Sequence, residues 1–225
     1  MTLSISIVMP VLNEAAGIVP TLAALAPLRA RGVEVIVVDG GSSDDTVALA
    51  TPWADCVLVF PGGRARQMNA GAARATGEVL LFLHADTQLA AGADEMVLAA
   101  LRAKTGWGRF DVRIDGAPWM LRVVATLMNL RSRWSGIATG DQAIFMRRAL
   151  FDAVGGFPDQ PLMEDVEISR RLRAVSRPVC LRAKVRTSGR RWESRGVWST
   201  IFLMWRLRWR YWRGEPAAAL AEAYR

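Results

Sequence analysis

Cysteine is scarce in this sequence: the 225 residues include only Cys56 and Cys180. The two lie far apart, and each falls inside an apolar run that is typical of a strand. Two cysteines are too few for the disulfide framework of a small secreted domain. The sequence therefore predicts two buried thiols in a cytoplasmic protein.

Long hydrophobic runs are also absent, although apolar residues make up 52% of the chain. No run of about 18 uncharged apolar residues occurs, so we expect no membrane-spanning helix. Residues 1–4 carry no basic group ahead of the first apolar run, which argues against a signal peptide. Length and composition together predict one α/β domain with a substantial core.

Acidic residues are few near the C-terminus. The chain carries 29 Lys and Arg against 21 Asp and Glu, for a net charge of +8. Residues 169–225 hold 15 of the basic and 3 of the acidic residues, so this segment carries +12 and the rest carries −4. Such asymmetry predicts that the C-terminal part faces a diphosphate, a membrane surface or nucleic acid. An arginine-rich composition with solvated faces is the alternative, but it does not explain the clustering.

Short apolar runs and helical patterns alternate through the first half. Strands are predicted over 4–9, 33–38, 57–60 and 79–83. Helices are predicted over 15–31 and 64–76, with a short one between them that is capped at 43 or 44 and ends at 50. Pro10 is expected to end the first strand. The alternation indicates βαβ units and a parallel sheet. Ligands bind such sheets at the carboxyl ends of the strands, where Asp39 and Asp86 fall.

The second half departs from this alternation. Polar and apolar residues alternate over 107–114, which predicts a half-exposed strand. Further helices are predicted over 91–103, 119–130, 147–154 and 163–174, and further strands over 143–146 and 178–181. No repeat or linker is visible, so we expect one domain over 1–195 followed by a helical tail over 196–225.

Six motifs occur in an order that resembles the family 2 glycosyltransferases with the GT-A fold. They are Pro-Val-Leu-Asn-Glu (10–14), Val-Val-Asp-Gly-Gly-Ser-Ser-Asp-Asp-Thr (37–46), Gly-Arg-Ala-Arg-Gln-Met-Asn-Ala-Gly (63–71), Leu-Phe-Leu-His-Ala-Asp-Thr (81–87), Gly-Gly-Phe (155–157) and Met-Glu-Asp-Val-Glu (163–167). The likeness covers roughly residues 3–195 and looks strongest to a small bacterial branch with His-Ala-Asp in place of the usual acidic triplet. Some members of that branch are labelled arsenosugar biosynthesis enzymes. The resemblance implies a Rossmann-like, mostly parallel sheet flanked by helices, and sugar transfer.

The resemblance also implies a nucleotide-diphosphate sugar donor, of the UDP or GDP type, at the ends of the first two strands. Asp39 is the candidate that reads the base, and an Asx-turn that shapes the Gly-Gly loop is its alternative role. Pro10 and Glu14 belong to the neighbouring strand end, where Glu14 alternatively favours a helix N-terminus.

A second group of donor candidates opens the helix predicted over 64–76. It comprises Arg64, Arg66, Gln67 and Asn69. Two guanidiniums near a helix N-terminus suit a diphosphate. The two amides are expected to bond either the base or the strand-end loops, and a solvated basic face is the alternative for the arginines.

Asp86 follows the apolar run 80–83 and is the candidate ligand of a divalent cation, Mn²⁺ or Mg²⁺. These ions prefer carboxylate oxygens and keep sites for water and phosphate, so one protein carboxylate is chemically sufficient. Ala85 stands where the family carries a further acidic residue, which lowers the expected affinity for metal alone. His84, the only histidine, is expected to contact the ribose or to be a strand-end imidazole with a structural role.

Glu164 and Asp165 begin a predicted helix, where acidic residues also complement the helix dipole. By resemblance, Asp165 is the catalytic base that takes the proton from an acceptor hydroxyl, and Glu164 supports it. The helix N-terminus is expected to keep the Asp165 carboxylate ionised. Gly140 and Asp141 are the acceptor-side candidates, with a turn as the alternative role of Asp141.

Arg191, or its neighbour Arg190, is the candidate that neutralises the leaving diphosphate, because arginine binds phosphate groups in a bidentate manner. Ser188 stands where processive members of the family carry Gln. Polymer synthesis is therefore not expected.

Tryptophan and arginine crowd the tail. A helix would place Trp198, Trp205, Trp209 and Trp212 on one face, with Arg206, Arg210 and Arg213 on an adjoining face. This composition is typical of a helix that lies in a membrane interface, which would suit a lipid-linked acceptor at the inner face of a membrane. The alternatives are a helix packed on the domain with its Trp stripe buried, and a homodimer interface.

The sequence thus predicts a metal-dependent, inverting glycosyltransferase in the cytoplasm, without a nucleic-acid partner. A nucleotidyltransferase is one alternative, but residues 10–14 hold neither the Gly nor the Lys of a phosphate-binding loop. A non-catalytic basic module that binds membrane or nucleic acid is the other. It would leave Asp39, Asp86 and Asp165 without a role.

Overall fold

The computed structural model describes residues 3–102 and 106–224, and their strands form one sheet with helices on both faces. The strands are β1 Ile5–Val11, β2 Glu34–Asp39, β3 Cys56–Val59, β4 Val79–Phe82, β5 Thr87–Gln88, β6 Trp107–Asp115, β7 Phe145–Arg147 and β8 Val179–Ser188. The α-helices are α1 Ile18–Ala23, α2 Ala26–Arg29, α3 Thr46–Ala50, α4 Arg64–Arg74, α5 Ala93–Arg102, α6 Met120–Ser135, α7 Arg148–Ala153, α8 Glu164–Val175, α9 Arg190–Arg195, α10 Val197–Trp212 and α11 Ala217–Tyr224.

The strand order is β3-β2-β1-β4-β7-β6-β8-β5. The first four strands pair in parallel, and β6 also pairs in parallel with β8, whereas β7 and β5 run antiparallel to their neighbours. The predicted α/β class with a mostly parallel sheet is therefore confirmed. This topology brings the carboxyl ends of β1, β2 and β4 to one edge.

The core has two layers because successive side chains of a strand point to opposite faces. On β1, Ile7 and Met9 pack into one layer with α1 and α5, and Val8 packs into the other with α4 and α8. Gly71 of α4 sits so close to β1 that a Cβ there would lie 2.4 Å from a Val8 methyl. Helix α4 is thereby fixed over the strand ends.

Two predictions in the first half are wrong. Strand β1 continues through Pro10 to Val11, since Pro10 lies beyond the last β1–β4 pair, Val8 with Phe82, and its missing N–H costs no bond to β4. The single helix expected over 15–31 is two short helices, α1 and α2, with Pro27 at the start of the second.

The prediction for the two cysteines is also corrected. Cys56 and Cys180 are free thiols, but they are half-buried rather than buried.

Strand β6 also differs from its prediction, because it is buried on both faces rather than half-exposed. Arg109 is fully buried and pairs with Asp111, which in turn accepts a bond of 2.6 Å from Arg133 of α6. Charged side chains can alternate along a buried strand when they neutralise one another. The sequence pattern alone did not reveal that pairing.

The tail packs back onto the domain. Leu207 of α10 and Leu220 of α11 form a cluster with Met163, the residue before α8. The Trp stripe nevertheless faces outward, with Trp198, Trp205, Trp209 and Trp212 between 54% and 82% exposed. The alternative of a buried stripe is therefore wrong for this chain. Within the described ranges, no helix is long and apolar enough to cross a membrane.

Candidate active site

Asp39 ends β2 and is almost fully buried. Its Oδ2 accepts the N–H groups of Gly41 and Ser42, each at 2.8 Å, and its Oδ1 accepts the Ser42 hydroxyl. These bonds form the Asx-turn that was the alternative role of this residue. The role of Asp39 in base recognition stays a prediction, for which Oδ1, with one donor already bound, keeps a second lone pair.

Gln67 and Asn69 of α4 serve the strand-end loops. The Gln67 amide donates to the carbonyl oxygens of Val11 (2.8 Å) and Val38 (2.7 Å), and so joins the ends of β1 and β2. The Asn69 amide donates to the Phe157 carbonyl at 2.8 Å and accepts the Phe157 N–H at 2.9 Å. Of the two roles expected for these amides, the structure provides the one toward the loops.

The two arginines of α4 point in different directions. Arg66 forms a two-bond ion pair with Asp159 on the surface, at 2.8 and 2.7 Å. Arg64 lies 3.5 Å from the buried carboxylate of Glu164. Only Arg64 is therefore directed toward the other candidate residues.

His84, Gly140 and Asp141 meet where the β4 end faces the loop before β7. The His84 Nδ1 lies 3.3 Å from an Asp141 carboxylate oxygen. A Cβ at Gly140 would come within 2.4 Å of the His84 ring, so only glycine admits this approach. Burial would raise the pKa of Asp141, but the bond and charge of His84 with the charges of Arg64 and Arg191 outweigh it and lower that pKa.

The pKa of Asp165, in the first turn of α8, is shifted far from its ordinary value. Its Oδ2 accepts the Gly140 N–H at 2.9 Å and its Oδ1 accepts the Val166 N–H at 2.7 Å. Burial and then the negative charge of Glu164 raise the pKa of Asp165 to about 6, against the opposing effect of those two N–H groups. The helix N-terminus therefore does not dominate this carboxyl, which corrects the expectation drawn from the sequence.

A small cavity of about 10 Å³ adjoins this pair of acids, which is room for a single water. It is lined by Met68, Phe82, His84, Gly140, Ile144, Phe157, Glu164 and Asp165. The structure thus brings together the predicted base, its neighbour and the predicted acceptor-side residues. A carboxyl with a pKa near neutrality in such a place can accept a proton from a hydroxyl.

Asp86 follows β4 and is half-buried. Within residues 3–102 and 106–224, no three His, Cys, Asp or Glu side chains converge as a metal site. The predicted ligand set, the Asp86 carboxylate alone, would suit an ion that takes its other ligands from a diphosphate and water. Whether Asp86 is a ligand stays a prediction.

Helix α9, which was not predicted, carries Arg190 and Arg191 to the site. Arg190 lies 3.2 Å from Glu14 at the end of β1. Burial lowers the pKa of Arg191, and so do the charges of Arg195 and Arg64, while Asp141 and Asp86 act in the opposite direction. A guanidinium among like charges favours an incoming anion.

Two site features carried no sequence signal. Arg131 of α6 has buried Nε and Nη2 atoms without a hydrogen-bond partner in the described chain, and burial lowers its pKa while the charge of Asp165 raises it. Met163, which precedes Glu164, has a φ of 64° and so lies in the left-handed region. Backbone strain of this kind is common beside functional groups.

Comparison with known proteins gives consistent results. The model of "Glycosyl transferase family 2" matches residues 6–155. An uncharacterized glycosyltransferase of Mycobacterium tuberculosis is 29% identical over 193 residues, which cover 80% of this chain and 72% of the relative. The PGL/p-HBAD biosynthesis glycosyltransferase of Mycobacterium bovis is 31% identical over 169 residues, or 68% of this chain and 62% of the relative.

Solved structures agree on the fold. Residues 1–349 of S. aureus TarS in complex with UDP-GlcNAc superpose with a TM-score of 0.66 at 20% identity, over 82% of this chain and 58% of that one. The mannosyltransferase PcManGT of Pyrobaculum calidifontis, in complex with GDP-Man and Mn²⁺, gives the same score and identity over 92% of this chain and 61% of that one. The chain spans 36% of full TarS. The predicted GT-A fold is confirmed by these similarities.

Proposed function

The chain belongs to glycosyl transferase family 2, and from that premise we propose that it moves a sugar from a nucleotide-diphosphate sugar to an acceptor hydroxyl with inversion, using Asp165 as the base. The observation that carries the proposal is the Asp165 carboxyl, whose pKa of about 6 suits proton transfer near neutral pH. The arsenosugar label and the branch assignment stay predictions.

The donor would lie along the β1 and β2 ends, with its base at Asp39. UDP-GlcNAc and GDP-Man are bound in the two similar structures, and both carry a diphosphate between nucleoside and sugar. Arg64 and Arg191 would stabilise the charge that develops on that diphosphate as the bond to the sugar breaks. A divalent cation held by Asp86 would supply further charge neutralisation when bound.

The acceptor would approach from the side of Gly140 and Asp141. In this arrangement Asp165 takes the proton from the hydroxyl as its oxygen attacks the anomeric carbon, on the face opposite the departing diphosphate. The Gly140 N–H holds one carboxylate oxygen of Asp165 in place, and the His84–Asp141 pair lines the approach. Expulsion of water by the acceptor would raise the basicity of Asp165 further.

Donor turnover tests this assignment. Purified protein is assayed for release of UDP and GDP from a panel of nucleotide sugars, with Mn²⁺, Mg²⁺ or chelator. We expect Asp165→Asn to lower turnover by roughly 10² to 10⁴ while donor binding, measured by thermal shift, is retained. Asp152→Asn, at an exposed carboxylate on α7, is the matched control and should keep wild-type turnover. Wild-type turnover by Asp165→Asn would refute the assignment.

A further inference from the structure

Two helices of this protein expose apolar stripes that no described residue covers. On α10 the stripe consists of Trp198, Phe202, Trp205, Trp209 and Trp212. On α6 and the residue before it, a second stripe consists of Trp119, Val123, Leu127, Leu130 and Trp134. All ten side chains are at least 40% exposed, and Trp134 and Trp212 exceed 80%. Monomeric proteins rarely leave a patch of this kind in water without a function.

The two stripes lie on the same side of the molecule. Near their N-termini the helices share an apolar cluster, in which Leu121 and Val124 of α6 join Val197 and Ile201 of α10. Near their C-termini they line one groove of about 830 Å³, so the two helices run in the same general direction, in contact at their N-terminal ends and separated by the groove at the other. On each helix the stripe lies roughly a quarter turn from the side that faces its neighbour, in opposite senses on the two helices. The stripes therefore form one face.

Charge distinguishes this face from a surface for self-association. Neither helix contains Asp or Glu. Arg133 and Arg210 are paired with Asp111 and Glu215 from neighbouring elements. Within the described residues, the other four arginines of the two helices form no ion pair: Arg122, Arg131, Arg206 and Arg208. Arg122 and Arg206 are exposed at the outer margins, and Arg131 and Arg208 line the groove between the helices. A second copy would bring like charges together, while an anionic surface would neutralise them.

We propose that α6 and α10 together form a face that lies flat on an anionic lipid bilayer. Tryptophan rings flanked by arginines suit the boundary between headgroups and acyl chains, and arginines beside that boundary attract anionic headgroups. Neither helix spans the bilayer, so binding is peripheral. The proposal does not depend on the enzymatic activity proposed above.

Vesicle sedimentation tests the proposal with the full chain. Phosphatidylcholine vesicles are compared with vesicles that also contain phosphatidylglycerol. One variant carries Trp119→Ser, Leu127→Ser and Trp134→Ser on α6, and another carries Trp205→Ser, Trp209→Ser and Trp212→Ser on α10. The control carries Leu49→Ser and Val175→Ser, exposed apolar positions on α3 and α8. Thermal melting checks that each variant folds.

We expect the wild type and the control to bind the anionic vesicles about tenfold or more tightly than the neutral ones, and each triple variant to lose about tenfold or more. Quenching of tryptophan fluorescence by lipids with brominated acyl chains should fall in parallel. An α6 variant that binds like the wild type would refute the two-helix face. So would equal binding to both vesicles, or a dimer in solution that both triple variants dissociate without any vesicle binding.

Discussion

The donor end of the sheet and the region around α8 differ in how fully their polar groups are hydrogen-bonded or neutralised. At the donor end, Asp39 is bonded within its own loop, and Gln67 and Asn69 of α4 are bonded to a strand end and to a neighbouring loop. Around α8, burial raises the pKa of Asp165, and two buried nitrogens of Arg131 have no hydrogen-bond partner among the described residues. One region is complete as folded, whereas the other holds charges that the protein only partly compensates.

This difference separates the residues that hold the fold from those that await a ligand. A satisfied polar network makes a rigid support, and its loss is felt as stability. Groups that are desolvated without full compensation cost stability and supply driving force for binding or chemistry. Substitutions in the two regions should therefore register in different measurements.

Beyond the loss expected for Asp165→Asn, the largest effect is expected from Arg191→Met, which removes a guanidinium from the under-compensated region. Turnover should fall roughly 10²- to 10³-fold, because a preorganised positive charge at a developing negative charge is worth that much. The free energy of unfolding should change little. Steady-state kinetics and urea denaturation measure the two, with Arg113→Met, at an exposed arginine paired with Asp115, as control. A stability loss without a kinetic loss would contradict the comparison.

Gln67→Ala should give the opposite result at the donor end. The variant leaves the Val38 carbonyl without the amide that bonds it, and an unsatisfied buried polar group costs about 1–3 kcal/mol of unfolding free energy. Urea denaturation measures the loss. Gln88→Ala, at an exposed position of β5, should be close to neutral. If Gln67→Ala unfolds like the wild type and loses only donor affinity, then Gln67 belongs to the ligand site after all.

The donor half was also the part that the sequence predicted best. Strands β2 and β4 are uninterrupted apolar runs, and their observed ends fall within a residue or so of the predicted ones. Strand β8 was predicted to end at 181 but continues to Ser188, because Arg182, Lys184 and Arg186 alternate with partly or fully buried residues along a strand at the side of the sheet. Because of these charged residues, the apolar run on which the prediction was based ends at 181, before the strand does.

The candidate site was predictable in its residue types but not in its energetics. The motif at 163–167 identified Asp165 and its neighbour Glu164, yet the raised pKa of Asp165 depends first on burial, which the motif does not show. Nothing in the sequence marks Arg131 as buried, or the backbone of Met163 as left-handed. These properties arise from packing between elements that are remote along the chain.

A smaller effect is expected from Arg131→Met. Removal of a mostly buried charge with unbonded nitrogens should raise the free energy of unfolding by about 1 kcal/mol. The same change removes a positive neighbour of Asp165, so the acidic limb of the pH–turnover profile should move to higher pH. Arg122→Met, at an exposed site on the same helix, should do neither. A destabilised Arg131→Met would show that the charge is already compensated.

The smallest expected effect is that of Glu164→Gln on pH dependence. Wild-type turnover should rise with pH through about 6, as Asp165 loses its proton. The variant removes a negative neighbour, so this limb should move to lower pH. Glu167→Gln, whose carboxylate is paired with Arg170 and Arg171, is the control. An unchanged limb in Glu164→Gln would assign the titration to another group.

The free energy of unfolding should also depend on the protonation of Asp165, and should fall, rather than rise, with increasing pH. The pKa of Asp165 is about 6 in the folded chain and 3.8 in its reference state, so folded protein retains a proton that unfolded protein has released between these values. The contribution of this group is therefore fully present below about pH 4 and is lost as the pH rises through about 6. Urea denaturation across that range should show a smaller loss in Glu164→Gln than in the wild type.

The contact between Arg191 and Tyr224 has a consequence for the order in which the enzyme is made. The guanidinium carbon of Arg191 lies 4.4 Å from the centre of the Tyr224 ring, and Arg195 donates to the Tyr224 carbonyl. During synthesis Arg191 leaves the ribosome before Tyr224, so this contact forms only after α11 has emerged and docked. The parallel strands can pair well before that moment. In a nascent chain, the sheet would thus form early, and the arginine proposed to stabilise the diphosphate would reach its final position late.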